Sequence, residues 1–436
     1  MTTRHALDIS RTPFPGTMEE VPAPFLRSPT LRFVFRPPAT EAAGLLTLPW
    51  DRPLSTWPDD VLADVPQRRI SRHVVRYVAL EGTVYALKEI VEPLARKEYA
   101  LLADFGADGL PTVGVVGICV DRPGDQPAIL ITRYLDYSVS YRHLFSTPRG
   151  DVSAEQLIDT LVALLVRLHL DGVFWGDCSL SNALFLPDAG TIAAYVVDAQ
   201  TAERHASLSP DQRLQDVDIA IGRVAAELLD LEAAGLLPAD VDAVELAVGI
   251  RPTYDALWTE LTREEVVSDD HVSGVTGRVQ RLSDLGFDVQ EIELVTSGAQ
   301  AVVRVRTQVA GPDAHRRELF RLSGLEVQEN QARRLLDDLR GYRAWLEQRD
   351  GAELPDTVAG HRWVAEVYQP VVDAIPAHLL GRLAPAEVFH EILEHRWFLS
   401  EIEGEDVGTT AAARSYFATV LPHLAPPAPA SDSLAR

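Results

Sequence analysis

The chain has 436 residues, 46% hydrophobic and 24% charged, which is typical of a folded soluble protein with two or three domains. Its formal net charge of −24 argues against nucleic acid or an anionic membrane surface as the main partner. Two cysteines, Cys119 and Cys178, give neither a disulfide framework nor a zinc spacing. The chain also has no apolar run long enough to span a membrane and no signal-peptide pattern. Together with the cysteine usage, these features predict a cytoplasmic protein.

The first part of the chain predicts strands followed by helices. Residues 1–29 are Pro-rich and predict an irregular lead-in. Strands are predicted at 31–36, 71–80, 83–90, 114–121 and 127–135, and helices at 93–105, 153–171 and 216–231, with further helices to about 261. A small hairpin is predicted at 183–186 and 193–197. Strands grouped before helices indicate an α+β fold rather than alternating βαβ units.

From about residue 265 the pattern predicts a second, mostly helical α+β domain. A helix is predicted at 279–285, two strands at 289–296 and 301–308, and further helices at 330–347, 362–373 and 385–401. The tail at 426–436 is rich in Ala, Pro and Ser and predicts disorder. The predicted domains are therefore 30–262, with a β-rich lobe to about 136, and 265–425.

Rare residue types direct attention to a few positions. Of the 40 Lys and Arg residues only Lys88 and Lys97 are Lys, and the only Asn residues are Asn182 and Asn330. Such depletion suggests a genome that prefers Arg wherever any cation will do. A Lys that persists in this background is a candidate for a position where Arg cannot substitute.

Lys88 ends the run Tyr85-Ala86-Leu87-Lys88 within an apolar predicted strand, where a compact ammonium could contact the α- and β-phosphates of ATP. Its carboxylate partner would be Glu98 in the next helix, with Glu92 as the alternative. Ala86 shares the face of Lys88 by the period of two in a strand, and its small side chain leaves room for an adenine ring. Taken alone, a Lys on a strand is more often a solvated edge residue.

Three further polar residues supply the context that a lone Lys lacks. Asp177 could orient a hydroxyl and accept its proton, and the amide oxygen of Asn182, five residues later, could ligate Mg²⁺. Asp198 follows the small hairpin, at the end of its apolar second strand, where a carboxylate can bridge metal and phosphates. The ordered set from Lys88 to Asp198 is far more specific than any of its members.

With these residues in place, the region 65–262 resembles the protein-kinase-like superfamily. The run 168–177, which ends in Trp175-Gly176-Asp177, resembles most the branch of lipopolysaccharide kinases that act on Kdo and heptose. The whole chain looks like an actinobacterial protein in which such a domain precedes an uncharacterised C-terminal domain. The resemblance implies a bilobal domain, with a β-rich N-lobe and a mainly helical C-lobe, that transfers phosphate from ATP to a hydroxyl of a small molecule, sugar or glycolipid precursor.

The resemblance also implies a role for each matching position. The implied roles are Lys88 as phosphate ligand, Glu98 as its partner, Asp177 as catalytic base, Asn182 and Asp198 as Mg²⁺ ligands, and residues 129–134, with Ile131, Thr132 and Tyr134, as the hinge strand beside adenine. These assignments make ATP and Mg²⁺ the expected cofactors.

Several departures from the family pattern keep a second function open. No G-x-G-x-x-G loop precedes Lys88, Trp175 replaces the His of an H-G-D motif, and Gln200 replaces the Gly of D-F-G. The alternative is therefore a catalytically inactive pseudokinase, a module that binds nucleotide or, through the C-terminal domain, a protein partner.

Overall fold

The computed structural model describes residues 31–35, 43–63, 65, 73–146, 153–262, 289–297, 300–309 and 314–424. The predicted lead-in, the predicted helix at 279–285 and the predicted tail lie outside these residues. Within the described part of the chain, no helix combines the length and apolar character needed to cross a bilayer.

A five-stranded antiparallel sheet opens the fold. Its strands are β1 (Arg32–Phe35), β2 (Val75–Leu80), β3 (Thr83–Ile90), β4 (Val115–Val120) and β5 (Ala128–Arg133), in the spatial order β1-β4-β5-β3-β2. Helix α1 (Glu92–Ala107) connects β3 to β4 and has a proline in its first turn, where the missing N–H costs nothing. The predicted strands and helix of this lobe are confirmed, with ends that differ by at most four residues.

The two faces of this sheet enter different cores because side chains alternate along each strand. Tyr85 and Leu87 of β3 join one apolar cluster with Trp50 and Trp57, outside the sheet. Residues of the opposite face, such as Ile90, pack with α1 and with the helical lobe in a second cluster. Lys88 shares the parity of Ile90 and therefore lies on the face turned toward the helical lobe.

The helical lobe is built on two long helices with a hairpin between them. Its elements are α2 (Tyr141–Ser146), α3 (Ala154–Leu170), β6 (Val173–Phe174), β7 (Ala183–Asp188), β8 (Thr191–Val196), β9 (Glu203–Arg204), α4 (Pro210–Ala233), α5 (Ala243–Val248) and α6 (Ile250–Thr262). The predicted capping box of Ser153 and Gln156 is present. Helix α4 begins six residues before the predicted residue 216, because Ser209 and Gln212 form a second capping box ahead of it.

The C-terminal unit has an apolar cluster of its own. It contains strands β10 (Val289–Ser297) and β11 (Gln300–Val309) and helices α7 (Ala314–Ser323), α8 (Glu329–Asp350), α9 (Asp356–Trp363), α10 (Gln369–Asp373), α11 (Pro385–Glu403) and α12 (Thr409–Thr419). The helix predicted at 362–373 instead runs from Asp356 and includes a π-helical turn at Val364–Tyr368. Gly360 allows α9 to approach α7, since a Cβ there would lie 2.2 Å from the carbonyl oxygen of Leu322.

Candidate functional site

Lys88 lies at the centre of a buried cluster of charges. Its Nζ donates to both carboxylate oxygens of Glu98, at 2.9 and 3.0 Å, and to Oδ2 of Asp198 at 3.0 Å. Glu98 is fully buried, and the Lys88 side chain is only 10% exposed. Glu92, the alternative partner, instead pairs with Arg96 at the surface, so that alternative is wrong. The cluster joins the sheet, helix α1 and the segment after β8.

Asp177 and Asn182 form a second pair within one loop. The Nδ2 of Asn182 donates to the Asp177 backbone oxygen and to its Oδ2, both at 3.0 Å. The backbone oxygen of Asn182 accepts from the N–H of Val197 at 3.1 Å. Because Asp198 is the next residue, this bond connects the Asp177 loop to the Lys88 cluster. All five sequence-predicted polar residues thus belong to one network.

The charge of this network favours a cation. The network contains three carboxylates and one ammonium: Glu98 and Asp198 contact Lys88, and Asp177 joins through Asn182. The second cation, Arg223 of α4, lies 2.8 Å from Oδ1 of Asp177 but is 61% exposed, so water screens it.

The oxygen atoms available at the site suit a hard divalent ion. A carboxylate (Asp198) and an amide oxygen (Asn182) are ligands that Mg²⁺ accepts, together with phosphates and water. No group of three or more His, Cys, Asp or Glu side chains able to hold a metal occurs in the described ranges. The residues present therefore fit a metal that is shared with a phosphate ligand better than a metal held by protein alone.

Trp175, the residue that departs from the H-G-D pattern, supports Asp198. Its indole Nε1 donates to the backbone oxygen of Asp198 at 3.0 Å, and its side chain is fully buried. Thr201 donates its hydroxyl to the Trp175 backbone oxygen at 2.9 Å. Trp175 therefore links the Asp177 loop to the Asp198 segment by a hydrogen bond.

Gln200, which stands where D-F-G has glycine, holds the Asp198 carboxylate directly. The backbone N–H of Gln200 donates to Oδ1 of Asp198 at 3.2 Å. Oδ2 of the same carboxylate accepts from Lys88, so both oxygens have protein donors. Gln200 is buried, and its side-chain amide lies 3.5 Å from Oδ2. These contacts orient the Asp198 carboxylate. Together with the bond from Trp175 to its backbone oxygen, they hold Asp198 from three parts of the chain.

Asp216 of α4 supports the Asp177 loop, a contact that the sequence did not predict. Its fully buried carboxylate accepts from the backbone N–H of Trp175 at 2.6 Å and of Gly176 at 2.9 Å. His169 lies 3.1 Å from the same carboxylate and also bonds the hydroxyl of Tyr254. Asp216 therefore anchors the two residues that precede Asp177. The only signal in the sequence was a carboxylate on the apolar side of a predicted helix.

Glu227, three turns further along α4, anchors the other half of the loop. It accepts from the backbone N–H groups of Leu180 at 2.8 Å and Ser181 at 3.1 Å. Burial raises the pKa of Glu227, with the bonds from Ser181 and Leu180 acting in the opposite direction. One helix thus fixes the backbone on both sides of the Asp177 side chain.

The residues predicted to lie beside adenine divide between the two faces of the sheet. Ala86 is paired with Thr132 across β3 and β5, and this pair shares the face of Lys88. Ile131, by contrast, belongs to the apolar cluster on the opposite face with Leu87, so its side chain does not share the face of Lys88. The reason is the period of two in β5, which turns every second side chain away from the helical lobe.

Tyr134 lies just beyond β5. Its backbone N–H donates to the oxygen of Val84, and its ring contacts that of Tyr77 edge to face, with centroids 5.5 Å apart. The nearby β2–β3 connection is a two-residue turn, Glu81-Gly82, with φ of 48° and 83°. This turn is too short to be a glycine-rich phosphate loop, as the sequence also indicated.

A cavity of about 800 Å³ lies elsewhere, between the first domain and the C-terminal unit. Its lining residues come from α1, the end of β5, the β7–β8 hairpin and the C-terminal unit, and include Tyr99, Arg133, Tyr195, Arg316 and Gln328. None of the five polar residues of the network lines it. The cavity is therefore distinct from the Lys88 site.

Among known protein families, one matches the C-terminal part of the chain. Residues 256–421 match the family model described as a domain of unknown function (DUF4032). None of the curated proteins matches the chain.

Two solved structures are similar at low sequence identity. A structure of WaaP in complex with acyl carrier protein is 17% identical, with 58% of this chain and 99% of that chain covered and a TM-score of 0.35. An aminoglycoside-3'-phosphotransferase of type VIII is 14% identical, with 54% and 97% covered and a TM-score of 0.34. At TM-scores below 0.5, neither likeness establishes a function for this chain.

Proposed function

We propose that the first domain is a kinase-like phosphotransferase that uses ATP and Mg²⁺ to phosphorylate a hydroxyl group. The observation that carries the proposal is the contact of Lys88 with both Glu98 and Asp198, in a network that also includes Asp177 and Asn182. Burying an ammonium with carboxylates from two segments has a desolvation cost, and binding of a nucleotide phosphate by that ammonium is a function that accounts for it.

Each residue has a role that its surroundings support. Lys88, oriented by Glu98, would contact the nucleotide phosphates as a point charge. Asn182 and Asp198 would hold Mg²⁺, which neutralises charge on the phosphates during transfer. Asp177 would orient the acceptor hydroxyl and accept its proton. Ala86 and Thr132 would border the adenine ring, with Tyr134 at the edge of the sheet beyond them.

The acceptor is proposed as a small molecule, sugar or glycolipid precursor. The support is that the Asp177 side chain keeps 24% of its surface exposed, together with the resemblance of the run 168–177 to kinases of that class. A cytoplasmic location would supply ATP and fits the two free, buried cysteines, Cys119 and Cys178.

Binding and chemistry are tested separately. In a thermal unfolding assay, Mg²⁺-ATP at 100 times its Kd should stabilise the protein by about 2.7 kcal/mol. Asp198→Asn should remove most of the Mg²⁺ dependence of this shift, because the metal loses a charged ligand. Asp177→Ala should leave the shift nearly unchanged and lower phosphoryl transfer, or slow ATP hydrolysis, on the order of 10² or more.

One observation favours a second candidate, an inactive nucleotide-binding module. The two-residue turn Glu81-Gly82 supplies no glycine-rich loop to cover the phosphates. Such a module would show the Mg²⁺-ATP shift, whereas transfer and hydrolysis would be equally absent from the wild type and from Asp177→Ala. The absence of any nucleotide-induced shift at millimolar ATP would contradict both candidates and point to a protein-binding role.

A further inference from the structure

The C-terminal unit contacts the first domain at the turn of the β7–β8 hairpin. Asp188 ends β7, and Ala189 and Gly190 form the two-residue turn before Thr191. Both sides of this turn are bonded to helices of the C-terminal unit. The contact is polar, and the apolar clusters of the two units are separate.

Asp188 caps helix α8 across this boundary. Its Oδ1 accepts from the backbone N–H of Gln331 at 2.8 Å, and its Oδ2 accepts from the backbone N–H of Asn330 at 3.2 Å. These donors belong to the first turn of the helix, where N–H groups lack partners within the helix and a negative charge is favourable. Asp188 is only 2% exposed, so water cannot replace it as the acceptor.

Glu387 of α11 holds the other side of the turn. Its Oε2 accepts from the backbone N–H of Ala189 at 2.9 Å and from Nε2 of Gln331 at 2.6 Å. Gln331 also donates to the backbone oxygen of Pro187 at 3.2 Å. Glu387 and Gln331 are both buried. Loss of either carboxylate would leave buried donors unsatisfied, which is costly.

The opposite end of the same hairpin carries the two proposed metal ligands. Asn182 immediately precedes β7, and Asp198 follows β8 by two residues. The bond from the Val197 N–H to the Asn182 oxygen, at 3.1 Å, closes this end. The six-residue ladder between the two ends is continuous, from Asp188 paired with Thr191 to Ala183 paired with Val196.

We propose that the C-terminal unit positions the metal-binding end of the hairpin by clamping its turn, with Asp188 and Glu387 as the positioning residues. Without these contacts at the turn, the two strands of the hairpin would be free to twist relative to each other, and the distance between Asn182 and Asp198 would vary. The link to Mg²⁺ rests on the proposed function, whereas the mechanical link through the hairpin does not. The unit of unknown function thereby becomes part of the catalytic apparatus.

The mechanical link is tested by hydrogen exchange in the full-length chain without ligand. Asp188→Ala should speed exchange of the Val197 amide by about 5-fold or more, within the usual range of coupling between sites. Asp188→Asn keeps one acceptor oxygen but turns an amide NH₂ toward the other backbone donor, so it should restore only part of the protection. Glu387→Ala should act as Asp188→Ala does, through the other side of the turn.

The matched control is Asp242→Ala. Asp242 caps α5 in the same way, accepting from the backbone N–H groups of Val244 at 2.9 Å and Glu245 at 2.8 Å, but it joins no second unit. Its loss should leave exchange at Val197 unchanged. Equal protection of Val197 in the wild type and in the folded Asp188→Ala and Glu387→Ala variants would overturn the clamp.

The second measurement is the Mg²⁺ concentration that gives half of the ATP-induced melting shift. Asp188→Ala should raise this midpoint by about 5-fold or more, with Asp188→Asn between it and the wild type. Faster exchange at Val197 with an unchanged midpoint would overturn the metal-positioning role. If the wild type shows no Mg²⁺-ATP shift at all, the proposed function fails and takes the metal-positioning role with it, while the exchange result still decides the mechanical clamp.

Discussion

The Lys88 cluster yields the sharpest prediction about stability. Lys88→Met removes the ammonium but keeps a side chain of similar length, and it leaves the Glu98 carboxylate fully buried without this partner. Removing one partner of a buried ion pair costs about 3–5 kcal/mol. The side chains of Lys88 and Asp198 are 10% and 13% exposed, so some solvent relaxation is available. We therefore expect the lower end, a loss of about 3 kcal/mol.

The loss should be measured locally, because a chain with several cores need not unfold in one step. Hydrogen exchange at amides of β3 and α1 reports the free energy of opening for the elements that carry Lys88 and Glu98. The double variant Lys88→Met/Glu98→Gln also removes the buried negative charge and should recover most of the loss. Lys97→Met is the matched control, since it removes the only other lysine, which is exposed beside Glu98, and should change little.

Two results would refute this reasoning. If exchange in Lys88→Met equals that of the wild type, the ammonium does not offset the charge of Glu98. If the double variant is as unstable as Lys88→Met, the loss comes from packing rather than from charge. Either outcome would also weaken the assignment of Lys88 as a pre-oriented phosphate ligand.

Three further predictions concern the framework of the site. Asp216→Asn replaces one acceptor oxygen by an N–H donor that faces backbone donors, so the loop before Asp177 should lose about 2 kcal/mol of protection, measured by exchange of its amides. Burial raises the pKa of Asp188 from its usual 3.8 to about 6. The folded chain therefore binds this proton more tightly than the unfolded chain. The resulting contribution to stability, about 3 kcal/mol in full below the unfolded pKa, should be lost between about pH 3 and pH 7; pH-dependent melting of Asp188→Asn should lack this component. Gly172→Ala places a Cβ 2.3 Å from the carbonyl oxygen of His205 at a φ of +75°, so it should lower the melting temperature, with a cost of about 1–3 kcal/mol.

Local sequence predicted the elements whose signals lie within a few residues. The strands around Glu81-Gly82 follow alternation and turn chemistry, and the start of α3 follows the capping box of Ser153. The short helices α2 and α12 were missed, since short helices depend on packing more than on their own pattern. The early start of α4 was missed although Ser209 carried a readable cap.

The same distinction between local and remote signals applies to the residues of the candidate site. The rarity of Lys and Asn, together with the order of Lys88, Asp177, Asn182 and Asp198, marked these residues without any structure. The side chains that hold them were not visible, because Asp216 reaches its partners across about 40 residues of sequence. The local sequence does not indicate which backbone N–H group will donate to a carboxylate that is distant in the chain.

The sequence by itself determined which residues can carry phosphoryl-transfer chemistry, since charge, size and hydrogen-bonding capacity belong to each side chain. The tertiary structure alone decided which of them meet. It turned Ile131 away from the face of Lys88 and brought Asp188 to the first turn of α8. Face and contact follow from the register of strands and from the packing of remote helices, and these are set by the burial of all apolar side chains together.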